Sequence, residues 1–172
     1  MLPTRSYESP AGSISLSRNR SFERAQLFAV AAIVVALDQL TKRLVFTGFL
    51  PGESRLVIPG LLRWTYEQNK HGAFGLFGSS PVLLIGMALI VLLIFWFSFR
   101  EQARQSLLVR VAFGMILGGA IGNIIDRLHL RFVVDFIDFY RIWPNIFNIA
   151  DACITVGVIL LILASLATRR RA

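Results

Sequence analysis

The chain has 172 residues, of which 55% are hydrophobic, and its mean hydropathy is +0.64. Soluble domains hold about 45–50% apolar residues, so this is a membrane composition with room for one compact domain. The net charge of +8 sits at the ends of apolar runs rather than in one patch, which argues against nucleic acid as a partner.

One cysteine, Cys153, makes no intrachain disulfide, and His71 and His129 have no metal-ligand spacing, so no metal and no cofactor are expected. Residues 1–24 are rich in Ser, Arg and Pro without an apolar period. They read as a disordered basic cytoplasmic tail.

A first apolar segment runs from about Ala25 to Phe46. Near its end Asp38 and Lys42 lie four apart, on one helix face, with the acid on the N-terminal side, the favourable order for an ion pair. They read as an anchor of the helix end or as support for a nearby site.

The stretch 47–81 is too polar to span. Pro51-Gly52 and Pro59-Gly60 mark turns. Leu62, Trp64 and Tyr66 alternate with Arg63, Thr65 and Glu67, a strand period that would place Trp64 and Tyr66 at headgroup depth. Asn69 to Gly78 reads as a glycine-rich loop, with Phe74 and Phe77, dipping into the interface.

Val82 to Phe99 carries no charge and is the clearest span. A third segment runs from about Leu107 to Leu128. In it Gly114, Gly118 and Gly122 form a small-xxx-small stripe for close helix approach. Asp126 continues that spacing and should face the bundle, with Arg127 and Asn123 to satisfy it. A polar-aromatic loop containing Asp135 and Asp138 follows. The last apolar segment runs from about Asn148 to Ala167. There Asn148 is placed to cap the first turn, and Asp151 lies where the helix dipole favours an anion.

Four spans put both termini on one side. The arginine-rich tail, the 100–110 turn and Arg169-Arg170-Arg171 place that side in the cytoplasm. Asp135 and Asp151 then share the outer edge. Two carboxylates that approach closely cannot both ionise easily, so they make an acid–base pair. The residues alone leave open which aspartates form such a pair. A proton or ion relay through Asp126–Arg127 and Asp38, as in a small transporter, would instead require carboxylates near mid-membrane.

The chain resembles the lipoprotein signal peptidases (signal peptidase II). The resemblance rests on five blocks in family order within residues 25–168. They are Asp38-Gln39-Leu40-Thr41-Lys42, Asn69 to Gly75, Gly118 to Arg127, Val133-Val134-Asp135-Phe136 and Phe147-Asn148-Ile149-Ala150-Asp151. It implies an all-α membrane protein: four transmembrane helices with a small extracytoplasmic β-sheet. The domain plan is a basic tail (1–24), a four-span peptidase domain (25–168) and a basic cytoplasmic tail (169–172).

The resemblance also implies an aspartic endopeptidase, needing no metal or cofactor, of the bacterial cytoplasmic (inner) membrane. Its implied partners are membrane lipid and diacylglyceryl-modified prolipoproteins, which are cut before the lipidated cysteine. A monomer is expected. Asp135 and Asp151 fall on the family's catalytic positions. Asn69, Asn123, Arg127 and Asn148 fall on positions lining its site, and Asp38, Lys42 and Asp126 on supporting ones. Two positions depart from the pattern: His71-Gly72 replaces a Gly-Ala pair, and Arg131 replaces a glycine.

Overall fold

In chain order the elements are helix α1 (Ala11–Gly48), strands β1 (Ser54–Ile58) and β2 (Leu62–Asn69), helices α2 (Pro81–Gln105) and α3 (Leu107–His129), strands β3 (Val133–Asp138) and β4 (Ile146–Phe147), and helix α4 (Ile149–Arg169). They belong to a computed structural model that describes residues 11–72 and 80–169. Each of the four expected apolar segments is helical. The expected interfacial loop with Phe74 and Phe77 falls on 73–79, outside the described residues, as do the first ten and last three residues.

The helix starts at Ala11, well before Ala25, so residues 11–24 are helical where an unstructured tail was expected. The physical reason is propagation. Once the apolar stretch has nucleated a helix, each further residue adds a hydrogen bond without a new nucleus, and Leu16, Arg18, Arg20 and Glu23 are adequate helix formers.

α2, α3 and α4 are long and apolar enough to cross a membrane. α2 leaves Val82, Ile90, Leu93, Ile94 and Phe97 exposed, a surface that suits lipid rather than water. Ser80 caps α2, with Pro81 at its first position. Ser106 ends α2 and caps α3, so a single residue turns the chain back.

The expected glycine stripe is the contact between helices. A Cβ on Gly114 would lie 2.7 Å from the Leu27 carbonyl oxygen, and one on Gly118 would lie 2.6 Å from that of Ala31. A Cβ on Gly122 would collide with the Asp38 carboxylate. Only hydrogen at these positions lets α3 sit this close to α1. Gly157 of α4 does the same against the Ala112 carbonyl of α3.

The strands form one antiparallel sheet in the order β1-β2-β3-β4. Its inner face packs Tyr66, Val134 and Phe136 against Val45 of α1, with Phe49, Leu130 and Ile149 around them. Here the strict alternation expected for 62–67 fails. Trp64 pairs with Ile137 and Glu67 with Asp135, so the ladder bulges between Trp64 and Glu67. The bulge changes the phase of the side chains. Trp64 stays exposed, whereas Tyr66 is buried in the core rather than lying at headgroup depth. Asp138 is buried as well and is held by Arg63 Nε at 2.6 Å and Thr65 Oγ1 at 2.8 Å.

Arg131 joins α3 to β3 with φ 68°. It follows the helix C-cap Leu130, the place where a left-handed glycine usually ends a helix. The chain has a β-carbon where the resemblance leads one to expect none. At the other departure the fit is better: Gly72 has φ 73°, and a Cβ there would press on Leu84.

Candidate active site

β3 packs against the C-terminal parts of α1 and α3. Because side chains alternate along a strand, Val134 and Phe136 enter the core while Val133 and Asp135 face the other way. The Val134 amide donates to Asp126 Oδ2 at 3.1 Å, which ties the start of β3 to the end of α3. Asp135 is thereby fixed over the first turn of α4, where Asp151 lies.

Asn148 joins the two. Its Nδ2 donates to Asp135 Oδ1 at 2.6 Å, and its backbone N–H donates to Asp151 Oδ2 at 3.3 Å. In return the Asp151 amide donates to Asn148 Oδ1 at 2.9 Å. This is a capping box with an aspartate in the return position, so the requirements of the helix N-terminus hold both side chains in place. The expected cap is therefore present, and it also connects the two acids.

Each carboxylate accepts a further amide. Asn69 Nδ2 donates to Asp135 Oδ2 at 2.9 Å, and Asn123 Nδ2 donates to Asp151 Oδ1 at 2.8 Å. Asp135 is 1% exposed. Burial, and next the nearby charge of Asp151, push its carboxyl up to about 8, against the lowering pull of the Asn69 and Asn148 amides and of Lys42. At neutral pH Asp135 holds its proton.

A polar network stands behind the pair. Lys42 is buried and gives its ammonium to three acceptors: Asp38 Oδ2 at 2.9 Å, Asp126 Oδ2 at 3.1 Å and Asn123 Oδ1 at 2.8 Å. Asp38 Oδ1 accepts the Ala150 amide of α4 at 2.9 Å. Lys42 therefore orients Asn123, which holds Asp151, and Asp38 fixes the first turn of α4 itself. The Asp38–Lys42 pair expected at a helix end is real, but it is interior rather than interfacial.

Asp126 was expected to pair with Arg127. Instead it bonds Lys42, Gln39 Nε2 at 2.9 Å and the Val134 amide. The reason is helical geometry. Neighbouring residues point about 100° apart, so Asp126 faces α1 while Arg127 turns towards the cleft. Gln39 was not singled out from the sequence. It also donates to the Gly122 carbonyl at 3.2 Å, and its one clue was a polar amide inside an apolar run, next to Asp38.

Asp135 and Asp151 line one cleft of about 480 Å³. Asn69, Asn123 and Arg127 line it too, and Pro144 to Phe147 form a wall. Arg127 Nη1 donates to the Asn123 carbonyl at 3.2 Å. Its buried Nε has no hydrogen-bond partner among the described residues. A neighbouring apolar groove of about 220 Å³ between α2, α3 and α4 shares Gly72, Asn123, Arg127 and Ile154 with the cleft. All nine residues singled out from the sequence thus fall in the cleft or in the network supporting it.

The family model described as Signal peptidase (SPase) II matches residues 30–167. A protein named lipoprotein signal peptidase from Syntrophomonas wolfei is 43% identical over 140 residues, covering 81% of this chain and 91% of that one. One of the same name from Moorella thermoacetica is 42% identical over 132 residues, covering 77% and 87%. A solved structure titled as a bacterial membrane enzyme determined by the in meso method superposes with a TM-score of 0.75. It is 36% identical and covers 82% of this chain and 87% of its own. Five ordered sequence blocks, the shared backbone and a family match across the bundle lead to one assignment: this chain is a peptidase of the signal peptidase II family.

Proposed function

We propose that the chain is a membrane aspartyl endopeptidase that removes the signal peptide from diacylglyceryl-modified prolipoproteins, cutting just before the lipidated cysteine. The observation that carries this reading is the pair of carboxyls in one cleft, joined through Asn148, where burial and the charge of Asp151 push the Asp135 carboxyl up. The names of the relatives supply the substrate class.

In this mechanism the pair holds one proton. Asp151 is the anion, placed in the first turn of α4 where the helix dipole favours negative charge. It takes a proton from a water molecule, and the resulting hydroxide attacks the scissile carbonyl. Asp135 gives its proton to the carbonyl oxygen as the tetrahedral intermediate forms. The intermediate returns that proton to Asp135 as the carbonyl reforms. Asp151 passes its newly gained proton to the leaving nitrogen. The bond breaks to a leader peptide with a new carboxyl group and a lipidated cysteine with a free amine. No covalent intermediate is required.

Arg127 lines the cleft and is placed to hold a substrate carbonyl with its guanidinium, and the apolar groove beside it suits an acyl chain. A substrate already held in the membrane plane by its own helix and acyl chains needs only one bond aligned, which removes much of the entropic barrier. Both termini are assigned to the cytoplasm and the cleft to the outer face of the bacterial cytoplasmic (inner) membrane. α1 is the fourth span, residues 25–168 form the peptidase domain, and the working unit is a monomer.

The test is cleavage of a lipidated prolipoprotein by purified protein in detergent with a chelator present, read as the mass of the released leader. Wild type is expected to cleave. Asp135→Asn and Asp151→Asn are each expected to lose cleavage by about 10³-fold or more while still inserting and unfolding cooperatively. Undiminished cleavage by either variant refutes the pair.

A further inference from the structure

A second cleft, of about 390 Å³, lies between α1, α2 and α3 at the end of the bundle away from the aspartates. Arg110 lines it, and Asn123 of the first cleft lies on the same helix about 20 Å away at the α-helical rise. Its floor is apolar, with Leu27, Trp96 and Phe113. Arg24, Arg100 and Arg110 border it, one from each of the three helices, with Glu23 as the accompanying acid.

Three guanidinium groups against the single Glu23 carboxylate leave the rim of this cleft net positive, which favours an anion there. Arg110 is already locked in place: its Nε donates to Gln26 Oε1 at 3.0 Å and its Nη1 to the Ala103 carbonyl at 3.0 Å. Arg100 lies over the Phe97 ring, 5.5 Å from its centroid. The arginines meet the cleft where the apolar run of α2 ends, which is headgroup depth for a spanning helix.

A cationic rim over an apolar floor at that depth fits an amphipathic anion. We propose that this cleft binds one phospholipid of net negative charge, its phosphate on the three arginines and an acyl chain along Leu27, Trp96 and Phe113. Free phosphate would leave the apolar floor unused. A zwitterionic lipid would bring its own cation into the ring of arginines. The inference needs the helices to be in a membrane but is independent of the peptidase chemistry.

The test is native mass spectrometry of the full chain from delipidated detergent, titrated with phosphatidylglycerol or with phosphatidylcholine, alongside thermal unfolding with inorganic phosphate. Wild type is expected to prefer phosphatidylglycerol by about tenfold or more and to be indifferent to inorganic phosphate. Arg24→Gln/Arg100→Gln removes two exposed cations and is expected to lower phosphatidylglycerol affinity about thirtyfold. Arg100→Gln alone is expected to lower it about fivefold, and this serves if the double variant folds poorly. Equal binding of the two lipids by wild type, or unchanged affinity in the folded variants, overturns the proposal. Stabilisation by inorganic phosphate equal to that by the lipid would assign the cleft to a soluble anion instead.

Discussion

Asp135→Asn should uncouple stability from activity, and in a pH-dependent way. The wild-type carboxyl moves from an ordinary 3.8 to about 8 on folding. A group whose folded pKa is raised binds its proton more tightly in the native state. Stability therefore falls as pH rises through the window from 3.8 to about 8, and levels off above it. At about 1.4 kcal/mol per pKa unit, the carboxyl costs the fold roughly 4 kcal/mol at pH 7. Asparagine has the same shape and does not titrate. Its amide nitrogen, however, must face either Asn69 Nδ2 or Asn148 Nδ2, both donors, which costs roughly 1–3 kcal/mol.

The variant should then be more stable than wild type by roughly 1–3 kcal/mol near pH 7, and less stable near pH 4. Thermal unfolding in detergent at about pH 4, 6 and 8 reads this out as a difference in Tm that changes sign across the window. A difference of constant size and sign at all three would refute the claim that burial and Asp151 hold a proton on Asp135.

Other perturbations follow from the same geometry. The cleavage rate should fall about tenfold per pH unit above about pH 8, as Asp135 loses the proton it must donate, and a rate flat to pH 10 would remove Asp135 as the acid. Lys42→Ala leaves Asp38 and Asp126 buried without their cation, so it should cost roughly 3–5 kcal/mol and show first as low yield. An unchanged Tm would mean the network carries no such energy. Arg131→Gly removes a β-carbon from a left-handed position and should stabilise by about 1 kcal/mol, read as a Tm a few degrees higher. A lower Tm would show that the Arg131 side chain contributes more than its backbone conformation costs.

Much of the site was legible because it is built from short-range rules. Asp38 and Lys42 are one helical turn apart, the glycines recur every four residues, and Asn148 stands three before Asp151 as a cap must. Each of these spacings can be read without knowing the fold. What escaped the sequence is long-range. Nothing local says that Lys42 also reaches Asp126 and Asn123, or that the Ala150 amide ends on Asp38.

The pairing expected between Asp126 and Arg127 failed because adjacent residues on a helix diverge, a point periodicity states but adjacency conceals. The bulge in β2 was hidden because it arises from the register against β3, which sequence alternation cannot show. The helix reaches back to Ala11 as an extension of the apolar run beside it, which the composition of the tail alone does not show.

The proposed chemistry requires electrostatic coupling of the two acids across Asn148. Carboxyl-carbon-labelled aspartate NMR, titrating Asp135 in wild type and in Asp151→Asn, measures that coupling without any turnover. The expected result is a midpoint near 8 in wild type that drops clearly in Asp151→Asn, since the neighbouring charge is one of the two causes raising it. A midpoint near 3.8 in wild type, or the same midpoint in both proteins, would contradict the paired-acid mechanism.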